Sequence, residues 1–211
     1  MKQFVVLFSI FTSFCWGVVS DSPRVIPEPI SDYRNDPSLE LLISPEDISS
    51  RIQTIAAQID NDYQGEELTI VVIMKGAMCI TVDLMRQLHI PVAIQDIKTS
   101  SFKGGTKRGE LGISRIEGLN IAGKNVLVVD DIFDSGTTMT TVMDILRAQA
   151  PKSVQSLVLL LKQVPRTITY RPEYVLFEIP NRFVLGYGLD YKEFYRNLPG
   201  VYAFVNDTPS S

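Results

Sequence analysis

The sequence predicts an α/β domain built on a mostly parallel, twisted sheet flanked by helices. Three observations carry that prediction. Apolar runs recur along the chain, at Leu68–Met74 (LTIVVIM), Val126–Val129 (VLVV) and Val154–Leu161 (VQSLVLLL). Unbroken runs of this kind suit strands buried on both faces, as in a parallel sheet. Segments of helical periodicity stand between them. The chain has 211 residues, enough for one such domain with a sizeable core.

The elements follow in order. Met1–Ser20 has one charge, Lys2, then an apolar run from Phe4 to Val19 and a candidate cleavage site at Val18-Val19-Ser20, with small or medium side chains. That is the layout of a secretory signal peptide. The run is shorter than the ~20 residues of a membrane span. Residues 21–43 hold four Pro and mixed charge and read as a linker. Residues 44–206 read as the domain and 207–211 as a tail. Ser44-Pro45-Glu46-Asp47 is a helix start, with Ser as N-cap, Pro at the first position and acids in the first turn. Ile48, Ile52, Ile55 and Ile59 then share one helical face. Gly65 breaks the pattern before the strand at Leu68. Lys75-Gly76 closes that strand. A helix over Ala77–Leu88 ends before Pro91, and Val92–Phe102 reads as a strand. Lys103–Ser114 (KGGTKRGELGIS) is Gly-rich and polar, which predicts a mobile loop. The strand Val126–Val129 comes next. A helix starts near Thr138, with Met139, Val142, Met143 and Leu146 on one face. The strand Val154–Leu161 follows it, then short strands near Tyr174–Glu178, Phe183–Gly186 and Val201–Val205. In a sheet of this kind ligands sit at the carboxyl ends of the strands.

Composition excludes several function classes. Lys+Arg number 20 and Asp+Glu 24, for a formal net charge of −4. A bulk nucleic-acid binder shows a basic stripe instead. Two Cys rule out a disulfide scaffold, and Cys79 reads as a core thiol. His89 is the one histidine; with no second His or Cys to complete a metal or triad set, a helix end or surface position is expected for it. Tyr187, Tyr191, Phe194 and Tyr195 crowd the C-terminal region with few interleaved cations, which favours a packed core or a subunit contact over base stacking on nucleic acid.

The segment VLVVDDIFDSGTT, Val126–Thr138, concentrates the chemistry. An apolar strand ends in Asp130-Asp131. Asp134-Ser135-Gly136-Thr137-Thr138 then leads into an amphipathic helix. A strand–loop–helix with Gly and small hydroxyl residues makes an anion site: backbone N–H groups at the helix start point at the ligand, and the helix dipole favours negative charge. Two acids beside that phosphate call for sugar hydroxyls or a divalent cation between them. The combination asks for a ribose 5-phosphate, with Mg²⁺ as the fitting ion. Acids after a strand also serve as plain caps, but here strand, acid pair and helix stand together. Neither G-x-x-x-x-G-K-[ST] nor a G-x-G-x-x-G after a strand occurs.

This segment resembles the phosphoribosyl diphosphate (PRPP) signature of type I phosphoribosyltransferases. Leu161-Lys162 after a strand, and FEIPNRFVLGYGLDYKEFYRNLP at Phe177–Pro199, resemble the base-binding region of hypoxanthine–guanine phosphoribosyltransferases. The resemblance spans Ser44 to Val205. It implies the type I phosphoribosyltransferase fold, with a small base-binding hood and a flexible lid loop. By position, Asp134 matches the acid that accepts the proton from purine N7. Ser135, Gly136, Thr137 and Thr138 match the 5′-phosphate loop. Asp130 and Asp131 match the acid pair at the ribose hydroxyls, near one Mg²⁺. Lys162 matches the lysine that donates to the purine 6-oxo group, Phe183 the aromatic that stacks on the base, and Val184 the residue whose backbone reads the base edge. Asp190 matches a metal ligand on the pyrophosphate side, within the base-binding segment, and Arg196 a pyrophosphate contact. Lys75-Gly76 match the short loop that holds pyrophosphate. The stretch 99–114 matches the lid, with Ser101-Phe102 where the family usually has Ser-Tyr. Gln163 stands where a basic residue is common.

The implied activity is purine salvage: transfer of 5-phosphoribosyl from PRPP to hypoxanthine or guanine, giving IMP or GMP and pyrophosphate, with Mg²⁺ as cofactor. Two alternatives stay open, a nucleotide-sensing regulator of the same fold without catalysis and a xanthine-preferring enzyme. Partners are small molecules, with no nucleic acid, no stable membrane span and a homo-oligomer, dimer or tetramer, as in the family. The family works in the cytoplasm, where PRPP is made. That is the expected address, with export through the N-terminal leader as its alternative.

Overall fold

The structure, a computed structural model, describes residues 36–101, 111–114, 116 and 118–205, with the backbone alone for Ser100, Ser101 and Leu111. The leader, most of the expected linker, Phe102 and the tail lie outside the described residues. The elements are β1 (Leu39–Ile43), α1 (Pro45–Asp62), β2 (Leu68–Met74), α2 (Met78–Gln87), β3 (Val92–Ser101), β4 (Leu111–Ser114), β5 (Asn125–Phe133), α3 (Thr137–Arg147), β6 (Ser153–Lys162), β7 (Tyr174–Ile179), β8 (Val184–Leu185) and β9 (Val201–Phe204). Among the described residues no helix is long and apolar enough to cross a membrane.

Six strands form the main sheet in the order β4-β3-β2-β5-β6-β7. All its pairs are parallel except β3 with β4. Two apolar clusters cover its two faces. Leu68, Ile70, Val72, Leu127 and Val129 join the buried faces of α1 and α2. Val71, Ile73, Val126 and Val128 join α3 through Met139, Val142, Met143 and Leu146. Alternate residues of one strand therefore enter different cores, which is why the centres of these strands are mainly apolar on both faces. α1 starts where its sequence places it: the Ser44 hydroxyl accepts from the Asp47 N–H at 3.0 Å, with Pro45 in the first turn.

Strand order fixes where a ligand can sit. The chain passes from β2 through α2 to β3 on one side, and from β5 through α3 to β6 on the other. The order reverses between β2 and β5, and a crevice opens at the carboxyl ends of strands at such a switch point. β2 pairs with β5 only as far as Val72↔Val129, while β6 follows β5 to Phe133↔Leu161. Asp130 is the first residue of β5 beyond the β2 ladder.

Three expectations are corrected. The linker was expected to reach residue 43, but Leu39–Ile43 is β1, antiparallel to β9 with Leu39 opposite Phe204. Its apolar residues need a partner from the far end of the chain. The Gly-rich stretch was expected to stay a loop to Ser114, but Leu111–Ser114 returns as β4 against the end of β3. β5 was expected to end at Val129, but β6 keeps pairing and carries it through the acids to Phe133. β1, β9 and β8 form a second, three-stranded antiparallel sheet.

Candidate active site

Two groups of side chains collect at the carboxyl ends of the parallel strands. The first joins β5, β6 and the start of α3. Asp134 follows β5, and Lys162 is the last residue of β6, so parallel pairing sets them side by side. Lys162 Nζ donates to Asp134 Oδ2 at 3.0 Å. The Lys162 side chain is 12% exposed and that of Asp134 54%, so a nearly buried ammonium points at a carboxylate open to the crevice.

Gly136 caps α3 with φ +86°, in the left-handed region. A side chain there would also collide with the Phe133 ring. Glycine thus meets two demands at once, the backbone turn and the close ring. The Ser135 hydroxyl accepts from the Thr137 N–H at 3.3 Å and donates to Thr137 Oγ1 at 3.2 Å. The first N–H groups of α3 have no acceptor within the helix, which leaves Ser135–Thr138 a cradle for an anion.

The second group joins the end of β2 to the segment after β8. Gly76 lies against the Asp131 carboxylate so closely that a Cβ would overlap Oδ2. Gly188, at φ +100°, packs on the Gly76 carbonyl in the same way. The Met74–Lys75 peptide is cis. Lys75 Nζ donates to Glu193 Oε2 at 2.7 Å. Arg196 pairs with Asp190 at 2.6 Å, lies 3.8 Å from Glu193 and donates to the Gly188 carbonyl at 2.7 Å. The Glu193 N–H donates to Asp190 Oδ2 at 2.9 Å. Lys75, Gly76, Asp131, Asp190 and Arg196, far apart in sequence, thus form one surface.

Asp130 and Asp131 lie between the two groups. Burial, and then the charge of Asp131, push the Asp130 carboxyl well above its ordinary range. Burial also raises Asp131, partly offset by hydrogen bonds and by Arg196. An acid pair of this kind, Asp130 buried and Asp131 half-buried, is suited to a cation. Among the described residues no cluster of three or more His, Cys, Asp or Glu is placed to hold a metal ion. Two hard carboxylates still fit Mg²⁺, which commonly takes one or two carboxylates and completes its shell with water and substrate phosphate. Asp190 is engaged with Arg196 and would have to share its carboxylate.

Val184 opens β8 of the smaller sheet, and Phe183 immediately precedes it. Phe183 is 45% exposed and meets Tyr191 edge-on at 5.8 Å. Val184 is buried opposite Ala203. Of the lid residues, Ser101 ends β3 opposite Leu111, and Phe102 lies outside the described residues. His89 stands just past α2, 90% exposed, with Nδ1 2.8 Å from Asp60 Oδ2. It takes the surface position expected for it. Cys79 is half-buried rather than a full core thiol. Tyr187 is buried and donates to Asp83 at 2.6 Å.

Sequence reasoning missed two residues. Glu193 holds Lys75. Arg166 donates to the carbonyls of Asp134, Phe133 and Lys162. Arg166 belongs to no periodic run or short motif, and Glu193 lies within the segment Phe177–Pro199 without a role the resemblance assigns. A hollow of about 480 Å³ at the opposite end of the sheet, by Gly65 and Lys124, holds none of the expected site residues.

Residues 44–192 match the phosphoribosyl transferase domain family. The hypoxanthine-guanine phosphoribosyltransferase of Aquifex aeolicus is 39% identical over 166 residues, 78% of this chain and 93% of that protein. That of Staphylococcus aureus is 38% identical over 163 residues, 77% of this chain and 91% of its own length. A crystal structure of a hypoxanthine-guanine phosphoribosyltransferase from Bacillus anthracis superposes with a TM-score of 0.70 at 37% identity, covering 79% of this chain and 98% of that one. A ternary substrates complex of a mutant hypoxanthine phosphoribosyltransferase from Trypanosoma cruzi gives a TM-score of 0.72 at 32% identity, covering 79% and 95%.

Proposed function

Because the chain belongs to the phosphoribosyl transferase domain family, among the hypoxanthine-guanine phosphoribosyltransferases, we propose that it transfers the 5-phosphoribosyl group from PRPP to hypoxanthine or guanine. IMP or GMP and pyrophosphate are the products of this purine-salvage reaction. The observation that carries the residue assignment is the Lys162–Asp134 pair, 3.0 Å apart beside the α3 cradle.

The residues divide the work as follows. The α3 start, Ser135–Thr138, holds the 5-phosphate through backbone N–H groups and hydroxyls. Purine N9 attacks C1 of the ribose as the C1–oxygen bond to pyrophosphate breaks, and the proton on N7 passes to the Asp134 carboxylate. Lys162 donates to the 6-oxo group. Adenine would set an amino group against that ammonium, donor to donor, so 6-oxopurines are selected. Phe183 offers its exposed ring to the base, and Val184 its backbone to the base edge. Lys75, Gly76 and Arg196 receive pyrophosphate. Mg²⁺ at Asp130, Asp131 and Asp190 would supply positive charge to the leaving group. Ser101 and Phe102 belong to a lid that keeps water from the reacting carbon. We place the reaction in the cytoplasm and the active form in a homo-oligomer.

An assay with PRPP and Mg²⁺ against hypoxanthine, guanine, xanthine and adenine in turn tests the proposal. Product with the first two and none with adenine is expected; product with xanthine above both would move the preference. Asp134→Asn lowers turnover about 10²-fold or more, the scale of a lost general base, while PRPP still binds. Unchanged turnover would remove Asp134 from the mechanism.

A further inference from the structure

We propose that Arg166 is the positioning residue that fixes the base-reading lysine and the proton acceptor in one geometry. The inference rests on the roles of Lys162 and Asp134 given above. Arg166 lies half-buried four residues beyond Lys162, where the chain has left β6 and folds back over its end. Its Nε donates to the Asp134 carbonyl at 2.6 Å. Its Nη2 donates to the Phe133 carbonyl at 3.4 Å and to the Lys162 carbonyl. The last β5–β6 register pair is Phe133↔Leu161, so one guanidinium ties the ends of the two strands together where their pairing stops.

The guanidinium is suited to this task. It is planar, permanently charged and presents several donors in a rigid fork, so it serves converging carbonyls at once. A lysine ammonium is a single point on a flexible stem. Arg166 also stacks on the Phe133 ring, its guanidinium carbon 5.2 Å from the centroid. The same ring packs against Gly136, the left-handed residue that opens the phosphate loop. Guanidinium, ring and glycine stand in series. Arg166 therefore touches the backbone of both functional residues and, through one ring, the floor of the phosphate cradle. The Lys162–Asp134 bond closes this arrangement from the side-chain end. With Arg166 gone, the two backbones move independently and Lys162 loses its fixed aim at the 6-position.

The test separates this role from general support. Dissociation constants of IMP and AMP are measured for the wild type, Arg166→Ala and Arg166→Lys, with turnover on hypoxanthine and thermal unfolding alongside. A merely structural arginine would weaken both nucleotides equally. A positioning arginine lowers the preference for IMP over AMP by about tenfold in Arg166→Ala, the scale of one hydrogen bond to a charged group. Turnover falls with it, and Arg166→Lys, which keeps the charge but not the fork, restores less than half of the lost preference on a logarithmic scale. An unchanged preference in Arg166→Ala, equal loss for both nucleotides, or full rescue by lysine overturns the proposal. If Arg166→Ala does not fold, Arg166→Lys decides alone, and wild-type preference in it overturns the proposal. A wild type that binds IMP and AMP equally sinks the reading of Lys162 itself, and the role of Arg166 with it.

Discussion

Replacing Gly136 by alanine perturbs the proposed phosphate loop where it packs closest on its surroundings. The residue has φ +86°, and a Cβ built on it lies 2.6 Å from Phe133 Cζ and 3.1 Å from Cε1. Two costs follow. An L-residue in the left-handed region costs about 1–2 kcal/mol. Forcing a methyl group against a buried ring costs about 1–3 kcal/mol. Together they amount to about 2–5 kcal/mol, against a typical domain stability of about 5–15 kcal/mol. The variant should fold, with much of its margin gone. Equilibrium urea unfolding of the ligand-free protein measures the loss. Shortening the ring with Phe133→Leu separates the two costs: the double variant should recover about 1–3 kcal/mol of coupling, the steric part alone. PRPP affinity should fall in Gly136→Ala, because the N–H groups of the cradle move with the ring. A variant within about 0.5 kcal/mol of wild type, the range of an ordinary surface change, would show that neither cost is present. An absence of coupling with Phe133 would refute the steric cost.

Three further expectations concern the acids and the pyrophosphate side. In metal-free buffer, burial and the neighbouring Asp131 hold the Asp130 carboxyl above its ordinary range. The folded state then keeps a proton the unfolded chain has released, so stability falls as pH rises from about 4 through the raised folded-state value. Asp130→Asn should flatten that slope and be more stable than wild type near neutral pH, with urea midpoints across the range as the check. In Gly76→Ala the new methyl displaces the Asp131 carboxylate, and PRPP binding should weaken more than IMP binding; equal effects in calorimetry would argue against Gly76 on the pyrophosphate side. Glu193→Gln frees Lys75 from an exposed pair. Its unfolding midpoint should hardly move, while pyrophosphate binds severalfold tighter; weaker binding would show that Glu193 supports the site rather than competes for it.

How much was legible depended on range. Asp134 and Lys162 lie 28 residues apart, yet each follows a buried apolar strand of consecutive βαβ units. Parallel pairing then brings them together, and the sequence carries every step of that inference. The switch point between β2 and β5 is less local, because it depends on which way each crossover runs. β1 was hidden because LELLI follows a Pro-rich stretch and its partner β9 lies near the other end of the chain. β5 ran past its predicted end because Asp is disfavoured in strands, and only the pairing with β6 overrides that preference. Arg166 and Glu193 were invisible for another reason. Their partners are backbone carbonyls and a distant lysine, and no periodicity records such contacts.

An acidic chain that binds a highly anionic substrate looks contradictory only while charge is counted in bulk. At the site the charges come in pairs. Lys162 holds Asp134, Arg196 holds Asp190 and Lys75 holds Glu193. Each cation expected to meet the ligand already has a carboxylate, so binding exchanges partners rather than adding free attraction. Among the described residues Asp130 and Asp131 hold no such ion-pair partner of their own: Asp130 is buried and Asp131 half-buried beside it, both with raised proton affinity. A phosphate-bearing ligand arriving without a cation would set more negative charge against them. Two like charges about 4 Å apart at an effective dielectric of about 20 repel by about 4 kcal/mol, comparable to the gain from several hydrogen bonds. If the acid pair lines the ligand site as proposed, anion binding there depends on a cation or on a protonated carboxyl. Net charge cannot express that condition; it is set by which carboxylates are buried and which already hold a lysine or arginine.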